Sequence, residues 1–278
     1  MKNLYTYLFT AVLSTSLLTS CGSSQEKIKG DKDVISVSED LPYGINTIEV
    51  SNDIKVRIVK AKSDDYILTT DRNLVSVVDF DVRDSILRIK TNMNVTSKRE
   101  MGVYIKLIDP RHIIIHDDAE VRTPGHIESP AFSVTADKDS KFDLNVTAAR
   151  AKVNMRDNST GELSLKGDKI ALNMSGRTDL KGDFSFKESM FTMKDRAEFT
   201  PKGKSELFTL ITEAKADFKG RKFEVQEADA TLSSSSNATV DVAKALSIFA
   251  KDDSKIEIYG NPEVNVKSLN DKAEIIKK

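Results

Sequence analysis

Tryptophan is absent from this 278-residue sequence, and cysteine and histidine nearly so, with one and three copies. Each shortage closes off a chemistry. The single cysteine, Cys21, makes an intrachain disulfide impossible. The histidines are His112, His116 and His126. The first two, four apart on a strand, stand about 13 Å from each other, whereas zinc ligands converge to about 2 Å from one ion. Without tryptophan the chain lacks the best platform for stacking sugars, which a cleft with paired carboxylates normally adds to its acids. No Gly-rich phosphate loop, Gly-x-Ser-x-Gly elbow or Cys/His nucleophile pair occurs. Charge of either sign is no guide to a partner: 42 basic residues face 43 acidic ones, interleaved, for a net of −1. A nucleic-acid binder needs a basic stripe, and none is visible. The expectation is therefore no catalytic residue, no metal ligand, no cofactor and no nucleic acid.

What the chain has instead is a repeat. A small residue, a polar one and an apolar one follow a polar turn nine times. The copies begin Ala119-Glu120-Val121, Ser140-Lys141-Phe142, Gly161-Glu162-Leu163, Thr178-Asp179-Leu180 and Ala197-Glu198-Phe199. They continue as Ala216-Asp217-Phe218, Ala238-Thr239-Val240, Ser254-Lys255-Ile256 and Ala273-Glu274-Ile275. From Ala119 to Ala273 is 154 residues over eight intervals, about 19 per repeat. A period of that size marks a stacked array.

Each copy is preceded by alternating apolar and polar residues, such as Val153-Asn154-Met155 or Leu246-Ser247-Ile248. Period two is the mark of a strand with one buried side. Turn formers follow, as in Asp137-Lys138-Asp139, Asp157-Asn158-Ser159 and Asp252-Asp253, because Asp, Asn, Ser and Gly accept left-handed geometry. One such rung cannot bury its own apolar side, but stacked rungs can. The spacing predicts an all-β chain, a β-helix or β-solenoid-like stack with about 19 residues per turn. Its interior holds Phe132, Phe142, Phe199, Phe208, Phe218 and Phe249, with Met155, Met174, Met190 and Met193 filling gaps. An antiparallel β-sandwich of short strands is the competing architecture. Reuse of one turn motif favours the stack.

At the other end of the chain, residues 1–20 carry Lys2 and then an apolar run from Leu4 to Leu18 without further charge, the pattern of an export signal. It stops at Leu18-Thr19-Ser20-Cys21, which resembles the lipobox of bacterial lipoproteins. That resemblance implies an acylated Cys21 as the mature amino terminus, a membrane held through its acyl chains, and residues 21–33 as a polar tether. Gly22 is not the Asp linked to inner-membrane retention, so an outer-membrane lipoprotein is expected, with its facing side open.

Strand-like alternation starts near Val34 and covers Ile48-Glu49-Val50, Ile54 to Ile58, Tyr66-Ile67-Leu68, Leu87 to Lys90 and Val103 to Leu107. Only residues 71–78 offer a helical turn. No Gly/Ser-rich linker interrupts the chain at Asp109-Pro110, so residues 34–278 are expected to form one elongated domain, irregular over 34–110 and regular over 111–278. The run Asn46-Thr47-Ile48-Glu49-Val50, the strand Ile54 to Ile58, Leu87-Arg88-Ile89 and the late Tyr259-Gly260-Asn261-Pro262 resemble the auto-transporter adhesin head (GIN) domain family of exported Bacteroidetes proteins. The chain departs from it at the turns, where only Ser175-Gly176 keeps the usual Ser-Gly. The resemblance implies a β-helix-like fold, export and no established catalytic residues.

Two options inside the repeat weigh less than their bland alternatives. Asp117, Asp139, Asp157, Asp195 and Asp252, stacked in successive rungs, would form an edge for Ca²⁺, but turn chemistry explains them without an ion. His116 with Asp118 would make at most an adventitious metal site. The expected function is a lipid-anchored, non-enzymatic envelope protein offering a rigid solenoid surface for adhesion, to envelope glycans or surface proteins. A carbohydrate-binding or carbohydrate-cleaving β-helix is the second class, and a passive envelope scaffold the third.

Overall fold

The structure, a computed structural model, describes residues 26–278, so Cys21 and the apolar segment before it lie outside the described residues. One coil shows how the alternation becomes shape. In the strand Lys141–Met155, Phe142, Leu144, Val146 and Ala148 point inward, Ala149 and Arg150 are both exposed, and Ala151, Val153 and Met155 point inward again. Two successive outward residues shift the phase by one, which a strand accommodates by bending round a corner. Both arms then face one interior. A four-residue turn closes the coil, the Ser159 amide donating to the Arg156 carbonyl at 3.2 Å. The chain re-enters at Thr160, parallel to and level with Lys141. Strands Asp179–Met193, Glu198–Thr212, Asp217–Leu232 and Asn237–Ala250 repeat the unit. Neighbouring coils pair in parallel throughout, giving a β-solenoid of about nine turns rather than an antiparallel sandwich.

The register refines the repeat. Phe142, Gly161, Leu180, Phe199 and Phe218 form one inward column, continued by Ala238 and Ile256. The small residue opening each coil is thus Ser159, not Gly161, and Ser236, not Ala238: two of the nine triplets were placed two residues late. Spacings along the corrected column run 21, 19, 19, 19, 19, 20, 18 and 19. Gly161 occupies an apolar position because the Phe142 ring fills its space: a Cβ there would lie 2.2 Å from Phe142 Cζ.

Two interior assignments fail. Phe249 is 38% exposed and Met190 52%, both on the outer surface. Parity decides it: Leu246, Ile248 and Ala250 point inward, so Phe249 must point out, and Phe191 and Met193 do the same to Met190. Six other phenylalanines make the centre of the core. The Phe191 ring lies between 5.1 and 6.4 Å from those of Phe184, Phe199, Phe208, Phe218 and Phe223.

Stack order departs from chain order in the first half. Strands Thr47–Val50 and Lys55–Lys60 form a coil wedged between Ile86–Thr91 with Met101–Leu107 on one side and His112–Ile115 with Glu120–Arg122 on the other. Beyond them the end is closed by antiparallel strands Val34–Asp40, Asp65–Asp71 and Val78–Arg83. The 3-10 helix Arg72–Val77 drops Leu74 and Val77 onto the exposed end of the core, where sequence pattern allowed a helical turn.

Asp71 latches this cap. Its buried carboxylate accepts the amides of Lys32, Arg99 and Glu100 at 3.0 to 3.3 Å. Burial alone would raise its pKa, but those amides and the Arg99 charge outweigh it and hold the group below the ordinary carboxylate value. A depressed acid adds stability above its unfolded pKa and loses it as pH falls through the folded one. Asp71→Asn is therefore expected to lower the chemical-denaturation midpoint at pH 7. The gap from the parent should shrink as pH falls below about 4; a gap that stays constant well below that pH would contradict the latch.

Candidate binding face

The turns form a second ladder. Asn52, Asp117, Lys138, Asp157, Gly176, Asp195, Ala214, Ser234, Asp252 and Asp271 all adopt positive φ, one per coil except at the first turn, where Asp53 does so too. Asp and Asn recur because they tolerate that conformation. Their carboxylates also tie coils together: Asp157 accepts the Lys138 amide, Asp195 that of Gly176, Asp252 that of Ser234 and Asp271 that of Asp252, at 2.9 to 3.3 Å. Asp139 is one residue out of this column, and Lys138, Gly176 and Ala214 separate the acids. No Ca²⁺ edge forms. Among the described residues no group of three or more His, Cys, Asp or Glu is arranged to hold a metal.

Each histidine bonds across to the next coil. His112 Nδ1 meets Ser133 Oγ at 2.7 Å, His116 Nδ1 meets Asp137 Oδ1 at 2.8 Å, and His126 Nδ1 meets Asn145 Oδ1 at 3.0 Å. The carboxylates beside His116 are thus Asp137 and, 3.7 Å from Nε2, Glu49, rather than Asp118.

The two outer faces of the solenoid differ sharply in charge. On the first-arm face, acids and bases sit side by side along and between coils. Lys181 reaches Asp179 at 3.4 Å, Lys202 reaches Asp183 at 3.8 Å, and Lys219 contacts both Glu198 and Asp217. Burial pushes the Asp217 carboxyl up; Lys219 opposes that and Glu198 adds to it. Exposed pairs of this kind contribute little stability, and charge along strands guards against edge pairing. A shallow groove of about 550 Å³ on this face gathers Glu120, Asp143, Glu162 and Asp179 with Arg122, Lys141 and Lys181. Its one aromatic, Phe142, is 3% exposed and turned into the core, so the groove has no surface on which a sugar stacks.

Over its two central columns the second-arm face is almost free of charge. Across seven successive strands its outward positions read Ser133/Thr135, Lys152/Asn154, Ala171/Asn173, Met190/Thr192, Thr209/Ile211, Asp229/Thr231 and Ser247/Phe249. Two of these fourteen carry charge. Met190, Ile211 and Phe249 are 52%, 37% and 38% exposed, and Leu207 is 50% exposed in the column nearer the corner, which also carries Arg150, Lys169, Glu188 and Glu227. Asn154 and Asn173 hydrogen-bond along the face at 3.2 Å. Exposed apolar groups rimmed by polar ones are what a recognition surface looks like. The sequence carried a signal for it: sorting outward positions by coil would have shown the uncharged columns.

The fold is thus that of a β-solenoid. The chain belongs to the family described as "Putative auto-transporter adhesin, head GIN domain", whose profile matches residues 44–262. Among solved structures it is similar to a "putative adhesin" of Parabacteroides distasonis, at 16% identity and a TM-score of 0.69, covering 91% of this chain and 100% of that one. A "putative adhesin" of Parabacteroides merdae gives 15% identity and 0.67, over 91% and 99% of the two chains. A third, titled a "putative lipid binding protein" of Parabacteroides distasonis, gives 13% and 0.59, over 91% and 100%. At those identities the likeness shows the fold. No relative with a curated description matches this sequence. The family's description supports an adhesion-like function class.

Proposed function

We propose that the chain is a non-enzymatic adhesion module of the cell envelope that binds an uncharged partner flat against its second-arm face. The observation that carries this is the asymmetry between the two faces: one laced with ion pairs, the other nearly uncharged over its two central columns and studded there with Met190, Ile211 and Phe249. An export signal followed by Cys21 supports an acyl anchor and an outer-membrane lipoprotein of Bacteroidetes type. Neutral envelope glycans and surface proteins are the partners such a face suits. The non-enzymatic reading is supported by acids in the groove that meet Arg122 and Lys181, without an exposed aromatic.

Binding through uncharged groups is insensitive to salt, whereas ion-pair recognition is screened at the Debye length, about 8 Å at physiological ionic strength. The full chain is applied to an array of neutral and uronic-acid polysaccharides and to fibronectin and collagen, at low and high salt. The expected result is salt-independent retention on a neutral surface, lost in Ile211→Lys without change in melting temperature, and no new reducing ends. Salt-sensitive binding unaffected by Ile211→Lys, or turnover of any polysaccharide, would overturn the proposal.

A further inference from the structure

The two ends of the stack are finished differently. The amino-terminal end is closed by antiparallel strands and the 3-10 helix. At the other end, among the described residues, strand Glu263–Leu269 pairs only with Asn237–Ala250, and Glu274–Lys277 only with Lys255–Gly260. Val264, Val266 and Leu269 stand in the inward columns of Leu246, Ile248 and Ala250. Yet they are 37%, 46% and 49% exposed where their column neighbours are at most 1%. An unpaired strand edge beside an apolar step is a template for another strand.

We propose that this edge pairs with the same edge of a second copy of the chain, residues 263–267 running antiparallel to their counterparts about a two-fold axis at Asn265. The stretch Glu263-Val264-Asn265-Val266-Lys267 is its own complement in that register. Glu263 faces Lys267 of the second copy, Val264 faces Val266, and both pairs occur twice. Opposite charges and aliphatic pairs directly across an antiparallel ladder stabilise it, and a self-complementary patch closes at two subunits. The valines extend the core across the joint. Lys267 already meets Asp229 at 3.2 Å, but both side chains are more than half exposed, so that contact is weak and exchangeable.

The other end of the stack is a poor substitute partner. The outermost strands of its main sheet carry Glu39 and Asp40 on one side and Asp79 and Asp81 on the other, which would set carboxylates near Glu263 and Glu274, while the basic strand Lys27–Lys29 pairs with Asn94–Ser97 in a separate sheet. The joint is therefore a closed pair, not a filament, and the amino-terminal caps lie at its two far ends. This inference does not depend on what the uncharged face binds.

Sedimentation equilibrium of the full chain in detergent across micromolar concentrations tests it. A monomer–dimer equilibrium is expected. Lys267→Glu sets Glu against Glu twice and should weaken it at least about tenfold, and the exchanged double variant Glu263→Lys/Lys267→Glu should restore it. In a Cys21→Ser background, Asn265→Cys should oxidise to a disulfide-linked dimer across the axis, while Lys272→Cys should not. A chain that stays monomeric, species that grow beyond two, or a Lys267→Glu variant that associates unchanged would overturn the proposal.

Discussion

Replacing Phe191 with alanine is expected to destabilise the protein by about 4 kcal/mol, because a buried phenylalanine leaves both its transfer energy and a cavity behind. Phe191 is fully buried and its ring is within 6.4 Å of five other phenylalanine rings, drawn from three successive coils. Those neighbours are stiff and already edge-on to one another, so the space cannot collapse cheaply. In thermal unfolding the loss corresponds to a fall of roughly 10 °C for a chain of this size. Phe249→Ala is the matched control: its ring lies on the outer surface, and a change within about 0.5 kcal/mol is expected. Equal losses from the two variants would refute the inward and outward assignments.

The second large effect falls on a residue with no side chain. Gly182 lies in the first arm of its coil with φ +156°, level with Leu163 of the preceding coil. A Cβ built there would stand 1.8 Å from the Leu163 carbonyl oxygen. That oxygen belongs to the backbone of a paired strand and cannot swing away, so Gly182→Ala forces two coils apart. Overpacking and backbone strain together are expected to cost about 3 kcal/mol. Gly125→Ala has nothing within 4 Å of the new carbon and is expected to be neutral or mildly stabilising. Urea unfolding of the pair separates close coil contact from a general intolerance of alanine.

These two sites show which parts of the fold the sequence could express. Turn chemistry repeats every coil because one left-handed residue is needed in each, so Asp117, Asp157, Asp195 and Asp252 announced the period. Alternation, by contrast, is blind to slips of two residues. Gly161-Glu162-Leu163 fits the triplet as well as Ser159-Thr160-Gly161 does, and only the Phe142 ring, which needs a bare position beside it, settles the register. Hydrophobicity misled at Phe249 and Met190 because a residue's type was allowed to outvote its parity. The placing of strands Thr47–Val50 and Lys55–Lys60 between two later segments left no local trace, since long-range parallel pairing is chosen by the whole stack. For the site, the shortage of metal and nucleophile patterns was plain from composition. The uncharged face was not, because its columns are assembled from residues about 19 apart.

The register on that face is what the rest depends on, and a cysteine pair measures it directly. In a Cys21→Ser background, Asn154→Cys with Asn173→Cys places two thiols level on adjacent coils, a Cα separation near 4.8 Å that a disulfide spans without strain. Asn154→Cys with Ala171→Cys sets them two residues out of step, about 8 Å apart and beyond easy bridging. Rapid oxidation of the first pair and not the second is the expected result. Preferential bridging of the second, or of neither, would contradict the stack.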